Sequence, residues 1–141
     1  MTPLYTAEAT TRGSGRNGGH GETSDGRVKV DFSMPTELGG PGGAGTNPEQ
    51  LVALGYSACF ESALHYVAGQ KQQRLENVAV TCRVKMGRSP QGGFAFEFEV
   101  EASLPGLPRA EAEALVADAH KVCPYSQAFR LGAPTTAVVK G

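Results

Sequence analysis

The segment from Thr46 to Gln70, TNPEQLVALGYSACFESALHYVAGQ, constrains this chain more than any other. Asn47 can cap a helix, Pro48 suits its first position, and Gln50 completes an Asn-x-x-Gln capping box. A helix over 48–68 is predicted. It carries Glu49 and Glu61 but no lysine before Lys71, while Ala, Leu, Val, Phe and Tyr occupy most of its circumference. A helix that is apolar all round must be buried nearly all round, so the rest of the chain has to serve as its cover. Gly55, near its middle, costs about 1 kcal/mol relative to alanine, which predicts close approach by another backbone there.

The cover reads as β-structure. Leu4–Thr11 and Arg27–Ser33 are rich in β-branched and aromatic residues, and in the second Val28, Val30 and Phe32 alternate with Lys29 and Asp31. Ten of the 19 glycines fall in two tracts, 13–21 and 39–45, read as loops rather than domain linkers. From Val78 the apolar period becomes two: Val78, Val80, Cys82, Val84 and Met86 form one strand. SPQGG turns the chain, and Phe94, Phe96, Phe98, Val100 and Ala102 form a second, a hairpin. A second helix starts near Pro108 and carries Cys123 at its last turn, with Pro124 immediately after. Thr135–Lys140 reads as a final strand. Strands and helices are segregated, which predicts an α+β fold, mostly antiparallel sheet on a long buried central helix plus a second helix, in one domain over 1–141.

At 141 residues the chain is long enough to bury roughly two-thirds of its unfolded surface. Its 13 basic and 14 acidic residues form no one-sided run, so neither nucleic acid nor anionic membrane is expected as a partner. MTPLYTAEAT lacks the pattern of a signal peptide, and no apolar run approaches the roughly 18 residues of a membrane span. Three cysteines, spaced by 23 and 41 residues, fit neither a disulfide scaffold nor a zinc knuckle. A soluble, reducing, cytoplasmic setting and no metal are expected.

Several motifs match in letters only. GSGRNG and GPGGAG satisfy G-x-G-x-x-G without the strand, helix and downstream acid of a dinucleotide site. GYSAC lacks the last glycine of a nucleophile elbow and sits inside a helix. His20, His65 and His120 are isolated, and Cys82 fills an apolar strand position as a small hydrophobe. Cys59, beside Ala58 and Phe60, reads equally as a core thiol, whereas Cys123, where a helix must break before Pro124, is expected to be partly exposed and mobile. A buried thiol stays inert unless a cation or directed hydrogen bonds stabilise its thiolate. Arg16, alone among five glycines, is the candidate cation, and Glu49 could hold its guanidinium bidentately.

GRNGGHGETSDGRVKVDFSMPTELGGPGGAGTNPEQLVALGYSACFESAL together with VCPYSQA resembles the organic hydroperoxide resistance (Ohr) branch of the Ohr/OsmC family over almost the whole chain. The resemblance implies a cysteine-based peroxidase that reduces alkyl and fatty-acid hydroperoxides to alcohols. It implies no bound cofactor but an external dithiol, dihydrolipoamide or a lipoylated protein, as reductant. On this resemblance Cys59 in GYSACF would be the peroxidatic thiolate, Cys123 in VCPYS the resolving thiol, and Arg16 with Glu49 the activating pair. Phe32, Phe94 and Phe96 are candidates to receive the substrate's alkyl tail. Glu49 and Cys59 stand ten residues apart on one helix, about 15 Å along its axis and roughly 80° around it, so one chain cannot easily bring both to one site. Two such helices crossing antiparallel near Leu54 and Gly55 would, which predicts a two-fold homodimer with shared sites, in agreement with the intertwined dimer that the resemblance implies. An OsmC-branch peroxidase, or a non-catalytic redox sensor or apolar-ligand carrier, remains open as an alternative.

Overall fold

The computed structural model describes residues 1–141, which divide into two compact units, Met1–Leu51 and Val52–Gly141. The architecture is α+β, with two antiparallel sheets and three helices.

In the first unit β1 (Ala9–Arg12), β2 (His20–Thr23) and β3 (Lys29–Asp31) form a three-stranded antiparallel meander. The expected strand Leu4–Thr11 starts later and is shorter, because Leu4 and Tyr5 find nothing to pack against and are 99% and 80% exposed. The second strand falls on HGET, at the end of a tract read as loop. Its sequence has no apolar alternation because backbone pairing and the His20 bond to Asp31 hold it, and Gly21 lies bare against the Phe32 ring. Phe32 is the unit's one buried large side chain.

The second unit is built on α1 (Pro48–Gln70), whose first turn belongs to the first unit. The cap is the expected one in part: the Gln50 N–H donates to Asn47 Oδ1 at 2.8 Å, but the Gln50 side chain accepts from the Thr46 hydroxyl instead of reaching back to Asn47. Tyr56, Phe60, Ala63, Leu64, Val67 and Ala68 form its buried face. The expectation of burial nearly all round is corrected, since Leu54 and Tyr66 on the opposite stripe are 69% and 58% exposed within this chain. The hairpin β4 (Ala79–Arg88) and β5 (Phe94–Ser103) pairs Val80 with Ala102, Cys82 with Val100 and Val84 with Phe98, and all of these but Val84 pack half-buried against the core. Leu115 and Ala119 of α2 (Arg109–Val122) complete the core.

Two further corrections concern the C-terminal part. A third helix, α3 (Pro124–Leu131), follows α2 without a loop, since proline at a first helical position lacks only an N–H that would be unpaired anyway. The expected strand Thr135–Lys140 does not form: the segment pairs with no strand of this chain, and Val138 and Val139 are 89% and 96% exposed. No helix is long and apolar enough to cross a membrane.

Candidate active site

Two pre-formed arrangements of reactive groups exist, one in each unit. In the first, Arg16 sits at the tip of the turn between β1 and β2. Asn17 N–H to Ser14 O and Gly19 N–H to Gly15 O close that turn, and Gly18 takes the left-handed φ of 93° it requires. The guanidinium donates to both oxygens of Glu49, Nη2 to Oε1 at 2.7 Å and Nη1 to Oε2 at 3.0 Å. Glu49 lies in the first turn of α1, where the helix dipole favours a carboxylate. With side chains only 27% and 13% exposed, the pair is tighter than an ordinary surface ion pair. The Arg16 hydrogen bonds hold the Glu49 carboxyl below its ordinary value against partial desolvation, and the same bonds raise the Arg16 guanidinium.

In the second unit Cys59 and Cys123 stand with their sulfurs 3.7 Å apart, both as free thiols. Cys59 lies on the inner face of α1, three residues after Tyr56. Cys123 is the single residue between α2 and α3, with φ −65° and ψ 122°. The sequence expectation that Cys123 is partly exposed is wrong: it is 0% exposed, because α1, α2 and α3 close over the break. Cys59 is the half-buried member. Burial pushes its thiol pKa up, the Tyr125 backbone N–H directed at the sulfur pulls it down, and the contact with Cys123 raises it again. Cys82 is half-buried on β4 in the apolar slot expected of it, its pKa raised by burial alone.

Gly55 is explained differently from the sequence expectation. An alanine Cβ there would meet the Tyr125 hydroxyl at 2.5 Å and its ring carbon Cζ at 3.2 Å, so a tyrosine side chain, not a backbone, occupies the gap. Tyr125 stacks on Tyr56 at 5.7 Å between centroids, and Phe129 stacks on Phe98 at 4.1 Å. Sequence reasoning missed this aromatic group together with α3. The i, i+4 spacing of Tyr125 and Phe129 after Cys123-Pro124 was the available signal. Also missed was Ser126, fully buried, whose Oγ lies 2.7 Å from the Tyr56 hydroxyl and 2.9 Å from His120 Nδ1.

Of the three candidate phenylalanines, Phe32 belongs to the first unit, buried against Gly21. Phe94 and Phe96 are 68% and 46% exposed near the tip of the hairpin, with Arg88 over the Phe94 ring and Phe96 edge-on to Phe98. Phe98, not either of these, contacts Tyr56, at 6.0 Å.

The chain thus holds a paired guanidinium and carboxylate in one unit and two thiols 3.7 Å apart in the other. The sequence signature of the OsmC-like protein family matches residues 40–138. The chain belongs to the OsmC family, in its organic hydroperoxide resistance branch. The organic hydroperoxide resistance protein of Xanthomonas axonopodis pv. citri is 48% identical over 128 residues, covering 90% of this chain and 88% of that protein. The crystal structure of an organic hydroperoxide resistance protein OsmC from Legionella pneumophila is 53% identical and superimposes with a TM-score of 0.86 over 93% of each chain. That of OhrB from Bacillus subtilis is 38% identical, with a TM-score of 0.82 over 92% of this chain and 93% of its own. The OsmC-family fold therefore extends through both units, beyond the stretch that the family signature matches.

Proposed function

We propose that the protein is a thiol-dependent peroxidase that reduces organic hydroperoxides, alkyl and fatty-acid, to alcohols. The observation that carries this reading is the 3.7 Å separation of the Cys59 and Cys123 sulfurs in a largely buried setting. The names of the relatives, organic hydroperoxide resistance proteins, support the substrate class. In the first step the Cys59 thiolate attacks one peroxide oxygen, the O–O bond breaks, and the alkoxide takes a proton and leaves as alcohol. Cys59 then carries a sulfenic acid. In the second step the Cys123 sulfur displaces that hydroxyl, releasing water and forming the Cys59–Cys123 disulfide. A dithiol of the dihydrolipoyl kind reduces it through a mixed disulfide and leaves as the cyclic disulfide.

A raised thiol pKa works against the first step, so an activating cation is needed. Arg16, oriented by both Glu49 oxygens, has the geometry for it: one face of the fork is fixed and the remaining N–H groups can meet a thiolate and a peroxide oxygen. The helical rise between Glu49 and Cys59 argues that the cation comes from a second copy, in a two-fold dimer whose sites are completed by Arg16 and Glu49 of the partner subunit. Such a chain, with free cysteines, suits the cytoplasm.

The test is reduction of tert-butyl and linoleic acid hydroperoxides with dihydrolipoamide as donor, followed by intact mass and peptide mapping. Sustained turnover with a Cys59–Cys123 disulfide in the oxidised protein is the expected result. Stoichiometric oxidation without turnover would replace the peroxidase with a redox sensor. A disulfide through Cys82 would remove the assigned roles.

A further inference from the structure

Ser126 is the one fully buried polar side chain of the molecule, and its place in the fold is specific. It lies in the first turn of α3, three residues after Cys123, while His120 lies in the last turn of α2, three residues before it. The Ser126 hydroxyl therefore bridges the two helices that meet at Cys123, through His120 Nδ1 at 2.9 Å, and ties both to α1 through the Tyr56 hydroxyl at 2.7 Å. Tyr56 is in turn three residues, close to one turn, before Cys59. We propose that His120 and Ser126 are positioning residues that clamp the α2–α3 junction and hold the Cys123 sulfur in reach of Cys59, a role that rests on the two-thiol reading above.

The chemistry needs such a clamp. Condensation of the Cys59 sulfenic acid with the Cys123 thiol forms one S–S bond, breaks the S–O bond and releases water, the thiol supplying the proton. The sulfurs must close from 3.7 Å to about 2.05 Å. Cys123 is one extended residue between two helices: its backbone bonds to Ala119 and Gln127, but its side chain caps neither helix, so the angle at which the two helices meet sets where the sulfur points. Hydroxyl, imidazole and phenol supply mutually satisfied hydrogen bonds on both sides of it, and burial of Ser126 and Tyr56 protects the bond between those two from exchange with water. His120 is the accessible end of the chain, lining the cleft of about 890 Å³ among α2, β4 and β5 together with Tyr56 and Phe98. Partial desolvation, with the Arg130 charge nearby, lowers its pKa, which favours the neutral ring that can accept from or donate to the serine.

The experiment separates the two chemical steps. The reduced full-length protein receives one equivalent of tert-butyl hydroperoxide. Quenched samples are treated with a 1,3-dione that traps sulfenic acid, and intact mass gives the rates of Cys59 oxidation and of disulfide formation. For Ser126→Ala, disulfide formation is expected to slow by about tenfold to a hundredfold, as for displacements near 1 Å in an intramolecular reaction, with Cys59 oxidation unchanged within about twofold. His120→Leu should do the same, and His120→Asn, which returns a polar atom near the Nδ1 position, should recover most of the loss. His120 reaches the surface, so its variants carry the test if Ser126→Ala does not fold. An unaltered rate of disulfide formation in either folded variant, equal slowing of both steps, or no difference between His120→Leu and His120→Asn overturns the clamp. If the unaltered protein forms no Cys59–Cys123 disulfide, the two-thiol reading itself fails and the clamp fails with it, a result distinct from the others.

Discussion

Replacing Glu49 by glutamine probes the Arg16 fork at the level of single atoms. The amide keeps one oxygen that can accept from Arg16, but it sets an NH₂ against the second guanidinium nitrogen, where the carboxylate now accepts at 2.7 or 3.0 Å. The pair lies between the exposed class, worth roughly 0.2–1 kcal/mol, and the fully buried class, where losing one partner costs about 3–5 kcal/mol. With side chains 27% and 13% exposed, the loss should be about 1.5 kcal/mol. At about 2.1 cal/mol/K of unfolding entropy per residue, that lowers the Tm by about 5 °C. The sign with pH follows from the direction of the shift. The folded Glu49 carboxyl is depressed, so its contribution is complete above its unfolded pKa and disappears as pH falls through the folded one. Urea unfolding of both proteins at pH 7 and near pH 3 should therefore show a gap that closes in acid. Equal stability at pH 7, or a gap undiminished in acid, refutes the assignment of that energy to an ionised pair. On the peroxidase reading, Glu49→Gln also slows Cys59 oxidation without slowing the later disulfide step.

Other perturbations have equally definite outcomes. Cys59→Ser should abolish hydroperoxide turnover, whereas Cys123→Ser should keep the first oxidation and accumulate sulfinic acid on Cys59, readable by mass; equal loss of the first step in both contradicts the roles. Gly55→Ala should destabilise by about 1 kcal/mol in urea unfolding, because displacing Tyr125 outweighs the helical gain of alanine, and the loss should shrink in a Tyr125→Phe background. His20 bonds Asp31 at 2.7 Å and Glu22 at 2.9 Å through its two ring nitrogens, which can both donate only when the ring is protonated. An NMR titration should place its midpoint above the ordinary 6.5, with Asp31 the larger cause, and the stability it lends is present below that ordinary value and lost as pH rises through the raised one.

What the sequence made legible has a physical pattern. The long helix and the β4–β5 hairpin could be read because each repeats one period for many residues and buries one face, and the Arg16–Glu49 fork could be anticipated from a lone arginine and a helix-start acid. The strand at HGET could not, since backbone pairing around a bare Gly21 leaves no side-chain period. Cys123 was misjudged because a helix break usually meets water; here α3 restarts at once on Pro124, and a serine hydroxyl satisfies the polar groups at the seam. Residues such as Ser126 carry no pattern in one dimension, since their partners lie 70 and six residues away.

The uncovered side of α1 connects the fold to the proposed chemistry. Leu54, Ala58 and Tyr66 form an exposed stripe on a helix whose composition demands cover, and Phe94, Val138 and Val139 are bare as well. So much exposed apolar surface is what an interface looks like, and on the shared-site proposal above a second copy of the chain would cover it and complete the site. Leu54→Glu would put a charge on that stripe while leaving this chain's own core untouched, because Leu54 is already 69% exposed. The expected result is a shift toward monomer in sedimentation velocity and a loss of hydroperoxide reduction. Direct closure of the disulfide by diamide should persist, because Cys59 and Cys123 approach within one chain. A monomeric Leu54→Glu variant with full peroxidase activity would show that Arg16 and Glu49 of the same chain serve Cys59, and would end the case for a shared site. Loss of diamide closure as well would mean that the interface supports the thiol pair itself.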